Sequence, residues 1–261
     1  APCLFLLLEN MTPIREYRWT LPKSELTPAD LERIKKLTDE LGISPVLAEI
    51  LVRRGVESFD QAKSYFRPTL EDLLDPFLMD GMDRAVERIV HAISSKQKIL
   101  VYGDYDVDGT NSTALLWTFL KSIHADVEYF IPDRIKDGYG LSIPGIERAH
   151  QRGVQLLISV DCGITAIKPV ERGRELGIDT IISDHHEPGD VIPDAYAVLD
   201  PLKPNCRYPY KNLCGCSVAF KLVQALSQHA QIHPLLEDGD QSLYRYLDFV
   251  TLATTADIVN L

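Results

Sequence analysis

Thiols, long apolar runs and low-complexity stretches are scarce in this 261-residue chain, and each scarcity removes a class of protein. The five cysteines, Cys3, Cys162, Cys206, Cys214 and Cys216, are odd in number and unevenly spaced, which argues against a disulfide scaffold and suits reduced thiols in the cytoplasm. Cys214-Gly215-Cys216 has no second Cys or His pair at zinc-finger spacing, so it reads as small core residues. The apolar start from Cys3 to Leu8 is too short to span a bilayer and no basic residue precedes it, so neither a membrane segment nor an export signal is expected. Met11 makes a sensible first residue, and residues 1–10 are therefore expected to be an artefact of expression or of gene boundaries.

Positive charge is in deficit too: 27 Lys and Arg stand against 38 Asp and Glu, a formal net charge of −11. That balance disfavours a nucleic-acid partner, since phosphate binding draws on clustered cations, unless part of the acidity belongs to a carboxylate cluster that holds metal ions. No stripe of Lys and Arg interleaved with aromatics runs along the sequence. What is present is an ordinary folded composition, 45% hydrophobic and 25% charged, which excludes disorder. The length suggests one large α/β domain with a smaller appendage.

The expected organisation is a helical segment over residues 1–80 followed by a catalytic domain over 81–261. In the first part, polar caps open short helices: Thr27-Pro28 before Leu31, Ile34 and Leu37, Ser44-Pro45 before Leu47, Ile50 and Leu51, and Ser58 before Phe59, Ala62, Tyr65 and Phe66. From Met82 a helix leads into apolar runs at Ile99–Tyr102, Val127–Ile131, Leu156–Val160, Thr180–Ile182 and Tyr196–Leu199. Helical patterns lie between and after them at Ser112–Ile123, Pro144–Gln151, Ala166–Leu176, Val218–Ser227 and Leu243–Ala253. Near-continuous apolar strands alternating with helices predict an α/β fold, a parallel sheet with helices on both faces.

In such sheets the ligand lies beyond the carboxyl ends of the strands, and there the sequence is acidic: Asp104, Asp106 and Asp108 after the first run, Asp161 after the third, and Asp184, His185 and His186 after the fourth. In extended chain the three alternating carboxylates project to one side. No Lys or Arg lies between Lys98 and Lys121 to offset them. Two carboxylates roughly 5 Å apart repel by about 3 kcal/mol at an effective dielectric of 20, so the set calls for protonation or for bound cations. An EF-hand is excluded because the twelfth position from Asp104 is Leu115 and a strand precedes the run. Asp161 taken alone is as consistent with a helix cap as with a ligand. Taken together, carboxylates and imidazoles in one layer suit two divalent ions, with Mn²⁺ preferred over the harder Mg²⁺ as the alternative.

Tyr102-Gly103-Asp104-Tyr105-Asp106-Val107-Asp108-Gly109 and Asp184-His185-His186 resemble the signatures of the DHH phosphoesterase family. Ile131-Pro132-Asp133-Arg134 with Gly138-Tyr139-Gly140, then Val160-Asp161-Cys162-Gly163-Ile164, Ala256-Asp257 and the helical start are similar to its single-strand-specific exonucleases, over about residues 17–261. The resemblance implies a metal-dependent 5′→3′ exonuclease on single-stranded DNA in repair and recombination, cytoplasmic and monomeric. It implies metal ligation by Asp106, Asp108, Asp161, His185 and Asp257, with Asp161 bridging and Asp104 either ligating or supporting a ligand. It further implies that His186 contacts the scissile phosphate, that Asp184 fixes a neighbouring imidazole, and that Arg134 holds substrate. Cys214, Cys216, Ser217 and Asn111 depart from the family pattern as small-for-small changes, and the end at Leu261 suggests truncation before a second domain. A family member cleaving short oligonucleotides, cyclic dinucleotides or pyrophosphate is the closest rival. An inactive DNA-binding scaffold is the more distant one, disfavoured because every ligand position is filled.

Overall fold

The computed structural model describes residues 26–259, so the readings of the apolar start, Met11 and residues 17–25 lie outside the described residues. The chain divides between Leu73 and Leu74 into two compact units.

The first unit is helical. Helices α1 (Pro28–Leu41), α2 (Pro45–Arg53) and α3 (Phe59–Phe66) begin at the capping residues Thr27, Ser44 and Ser58, whose side chains accept hydrogen bonds from Asp30, Leu47 and Gln61 backbone N–H groups. Each cap satisfies a donor that the first turn leaves without an intrahelical partner. Ile34, Leu37, Ala48, Leu51, Val52, Val56 and Ala62 form its core. Other residues of the apolar pattern stay outside that core: Leu31, Leu47, Ile50, Phe59, Tyr65 and Phe66 are all exposed.

In the second unit, helix α4 (Met82–Ser94) leads into strand β1 (Lys98–Tyr102). There follow α5 (Val107–Ser122), β2 (Val127–Phe130), α6 (Ile143–Gln151), β3 (Val154–Val160), α7 (Ile167–Glu175), β4 (Asp179–Ser183), β5 (Ala197–Leu199), α8 (Gly215–Gln228) and α9 (Leu247–Ala256). The strands are all parallel, in the order β2-β1-β3-β4-β5. The expected α/β sheet is the one found. Alternation along the strands sends Leu100, Tyr102, Leu157, Ile182 and Val198 into the cluster that α6 and α7 cover with Ile146, Ala149 and Val170. Helices α5, α8 and α9 pack together as a second helical layer. Each fully buried aliphatic side chain in these layers contributes about 1.5–3 kcal/mol of transfer free energy.

One expected boundary is wrong in a way that changes the site. The helix after β1 starts at Val107, not Ser112, because Asp106 adopts extended backbone and its carboxylate accepts the Gly109 N–H at 2.8 Å. Asp104, Asp106 and Asp108 therefore do not project from extended chain to one side. Asp104 sits in the loop, Asp106 caps the helix and Asp108 lies in its first turn. Among the described residues no helix is long and apolar enough to cross a membrane.

Candidate metal centre

The strand order reverses between β1 and β3, and at such a point the loops leaving the two strands part and open a crevice. Asp104 to Asp108 leave β1 and Asp161 leaves β3, so both acidic segments fall at the crevice. Asp161 has a positive φ of 59°, uncommon for a residue with a side chain, and the turn holds its carboxylate inward. Asp104 and Asp161 are both buried, and neither carboxylate has a hydrogen-bond partner among the described residues. Burial alone makes four such oxygens costly. Burial also raises the Asp104 carboxyl above its ordinary range, and it pushes Asp161, with Asp108 and Asp106 adding repulsion, up to about 10.

Asp108 is buried but held. Its Oδ2 accepts the Gly215 N–H at 2.6 Å and its Oδ1 the Cys216 N–H at 2.7 Å, the first two donors of α8. Burial raises its carboxyl despite these bonds. Two helix starts, of α5 and α8, thus face the cluster and favour negative charge there. Gly215 permits the approach: a Cβ at that position would stand 2.5 Å from Asp161 Oδ1. Gly109 does the same for Asp104, whose backbone and Cβ would lie 2.7 Å from a side chain there. Cys214 and Cys216 are buried free thiols, as their reading as small core residues requires.

His185 faces the carboxylates. Its Nε2 lies 3.1 Å from Asp161 Oδ1, without the alignment of a hydrogen bond, 3.6 Å from Asp108 Oδ2 and 3.8 Å from Asp257 Oδ2. Three overlapping sets place one ligand atom from each member within 4.8 Å of the others: Asp104, Asp106 and Asp161, then Asp108, His185 and Asp257, then Asp161, His185 and His186. Asp257 enters from the end of α9, and a cavity of about 150 Å³ opens between it, Asp106 and Asp108.

His186 is oriented differently from its neighbour. Its Nδ1 lies 2.7 Å from Asp184 Oδ1, and its Nε2 lies 3.2 Å from the Tyr139 hydroxyl. The hydrogen bond that the ring donates to Asp184 raises the His186 pKa. Burial works against charge on Asp184, but hydrogen bonds from His186 and from the Ile164 and His185 N–H groups outweigh it and hold the carboxyl below its ordinary range. Arg134, in the loop after β2, places its guanidinium 5.3 Å over the Tyr105 ring. The Tyr105 and Tyr139 rings are 6.2 Å apart, and Tyr139 is 6.2 Å from the His186 ring, so Arg134 belongs to an aromatic rim beside the cluster.

Two residues of this neighbourhood carry no role in the sequence reading. Asp200 follows β5, is buried, and has one carboxylate oxygen on the Leu202 N–H at 2.7 Å and the other without a partner among the described residues. Burial, with Asp184 adding repulsion, pushes its carboxyl up to about 7. The rule that flags polar residues after strands points to it, because it directly follows the apolar run Tyr196–Leu199 that forms β5. Tyr139 lies in the Gly138-Tyr139-Gly140 segment, and nothing local in the sequence shows that its hydroxyl reaches His186.

A profile of the DHH family, N-terminal domain, matches residues 98–254. The single-stranded-DNA-specific exonuclease RecJ of Bacillus subtilis (strain 168) is 41% identical over 237 residues, covering 91% of this chain and 29% of that protein. The crystal structure of RecJ in complex with Mn²⁺ from Thermus thermophilus matches with a TM-score of 0.69 at 30% identity, over 87% of this chain and 31% of that one. The corresponding Mg²⁺ complex matches with a TM-score of 0.57 at 27% identity, over 87% and 27%. The chain thus spans 29% to 38% of the length of the first curated relatives it matches.

Proposed function

The chain belongs to the DHH family, and on that premise we propose that it forms the catalytic part of a metal-dependent phosphodiesterase that removes nucleotides from single-stranded DNA, from the 5′ end. The observation that carries the proposal is the pair of buried carboxylates, Asp104 and Asp161, whose oxygens lack hydrogen-bond partners among the described residues while three further carboxylates and two imidazoles converge on them. Cations satisfy such a set, and the RecJ complexes with Mn²⁺ and Mg²⁺ support that choice. One nitrogen donor among oxygens favours Mn²⁺ over Mg²⁺.

In this reading Asp104, Asp106 and Asp161 would hold one ion and Asp108, His185 and Asp257 the other, with Asp161 the residue that would serve both. The chemistry such ions would supply is an activated water and neutralisation of the charge developing on the phosphoryl oxygens. The protein's own groups do the rest. Asp184 fixes the His186 ring through Nδ1 and favours its protonated form, so Nε2 presents a donor to a phosphate oxygen. Arg134 holds a neighbouring phosphate. Tyr105 and Tyr139 offer aromatic faces to unpaired bases, which supports a single strand over a duplex. Filled ligand positions count against an inactive scaffold.

The test is hydrolysis of end-labelled single strands by chelator-treated protein to which metal is returned. Mononucleotide release from the 5′ end, faster with Mn²⁺ than with Mg²⁺ and absent with duplex, is the expected result. Activity without divalent ion, or equal activity on blunt duplex, contradicts the proposal.

A further inference from the structure

The helical unit leaves a surface unused by its own core. Phe59, Tyr65 and Phe66 are 48%, 50% and 64% exposed, although all three follow the apolar pattern of α3. Phe59, Lys63 and Phe66 recur at intervals of three, four and seven, so aromatic and cationic side chains interleave on one face of α3, and Arg67, which caps its end, stands beside them. They line, with Leu41 and Ala62, a cavity of about 390 Å³. Lys63 and Arg67 take part in no ion pair among the described residues, whereas Arg33, Lys36 and Arg53 in the same unit do. Arg54 stands beside this face, with its guanidinium 3.5 Å from the Tyr65 hydroxyl.

We infer that this face of α3 is a second contact for single-stranded nucleic acid, holding bases on Phe59 and Phe66 and phosphates on Lys63 and Arg67. An apolar cavity alone would suit a protein as well. The unpaired cations at its rim select an anionic partner, and exposed rings alternating with cations match bases alternating with phosphates. Duplex DNA buries its base faces in the stack and cannot use the rings. The overall charge of −11 does not oppose this locally, because exposed charges farther away than about 8 Å are largely screened at physiological ionic strength. A second contact raises the apparent affinity for long strands without adding anything to the chemistry at the metal centre. The inference rests on the single-strand reading above and deepens it.

Fluorescence anisotropy with a long oligo(dT) strand, at low and at physiological salt, tests it on the full chain. Lys63→Glu/Arg67→Glu is expected to weaken binding at least about tenfold and to flatten the log–log salt dependence by roughly 0.7 per cation removed. Phe59→Ala/Phe66→Ala is expected to weaken it about fivefold or more with the salt slope unchanged. Both variants should hydrolyse a dinucleotide at the wild-type rate. Should either variant unfold early, photocrosslinking of an iododeoxyuridine-substituted strand to the wild type decides: adducts on residues 59–67 support the surface, and adducts confined to other residues overturn it. Wild-type binding that both variants retain overturns this surface and leaves the metal-centre reading intact. A wild type that neither binds the strand nor cuts the dinucleotide overturns both.

Discussion

His185 and His186 are consecutive, yet their rings serve different surroundings. His185 Nε2 approaches three carboxylates without making an aligned hydrogen bond to Asp161, whereas His186 is tied through Nδ1 to Asp184 and faces Tyr139 with Nε2. That divergence was legible in the sequence, since consecutive residues at a strand end point in different directions. The expected outcome is that His185→Ala lowers Mn²⁺ affinity at least about tenfold, within the range that loss of metal-site groups costs. His186→Ala should leave affinity nearly unchanged and slow turnover about 100-fold or more, as loss of a charge-stabilising donor does. Metal content after dialysis and single-turnover rates check both. Equal metal loss in the two variants contradicts the division. Asp257 was not legible from local pattern: it ends a helix, no strand precedes it, and the packing of α9 on α5 and α8 brings it to His185.

At the scale of elements, β1, β3 and β4 were legible because each is a nearly unbroken, buried apolar run, whereas the edge strand β2, with Glu128 and an exposed Tyr129, shows only a broken one. The start of α5 was not. Its first turns, Val107-Asp108-Gly109-Thr110-Asn111-Ser112-Thr113, are poor helix formers, and what stabilises them is a cap from Asp106 and packing against α8 and α9. The start of α8 matters in the same way, because its first two N–H groups hold Asp108 and Gly215 leaves room for Asp161. Gly215→Ala would drive a methyl into that carboxylate. It should destabilise the metal-free protein by about 1–3 kcal/mol, as overpacking commonly does. It should also shrink the rise in Tm on adding Mn²⁺, and calorimetric melts with and without Mn²⁺ read both effects. An unchanged rise would show that Asp161 takes no part in binding.

Further along α8, Lys221 is buried, and its Nζ donates to the Leu74 carbonyl and to Gln224 Oε1, each at 2.8 Å. Burial pushes its pKa down to about 8. The unfolded chain then binds a proton between about pH 8 and the ordinary lysine value near 10.4 that the folded chain does not, so stability rises with pH across that window. Below pH 8 both states are protonated and the cost of the buried charge is fully present. Denaturant melts of wild type and Lys221→Met should therefore show their difference moving in favour of wild type as pH is raised from about 8 to about 10. A constant difference contradicts a buried, titrating Lys221.

Across the whole molecule, five of the carboxylates behind the net charge of −11 converge on one crevice. The deficit of positive charge that counts against a nucleic-acid partner in the linear sequence is thus partly local to one site, where two divalent ions would offset most of the charge of these five carboxylates. The sequence showed which residues cluster by layer, because strand ends in a parallel sheet share one edge. It could not show the interleaved face of α3, where helical periodicity and exposure decide what a residue meets. The proposed centre requires two adjacent ions sharing Asp161, and Mn²⁺ titration of chelator-treated protein followed by electron paramagnetic resonance addresses that directly. Binding of two Mn²⁺ per chain is expected, with an exchange-coupled spectrum as the second ion enters and loss of the coupling in Asp161→Asn. Saturation at a single ion, or two ions with uncoupled spectra, would contradict the shared centre.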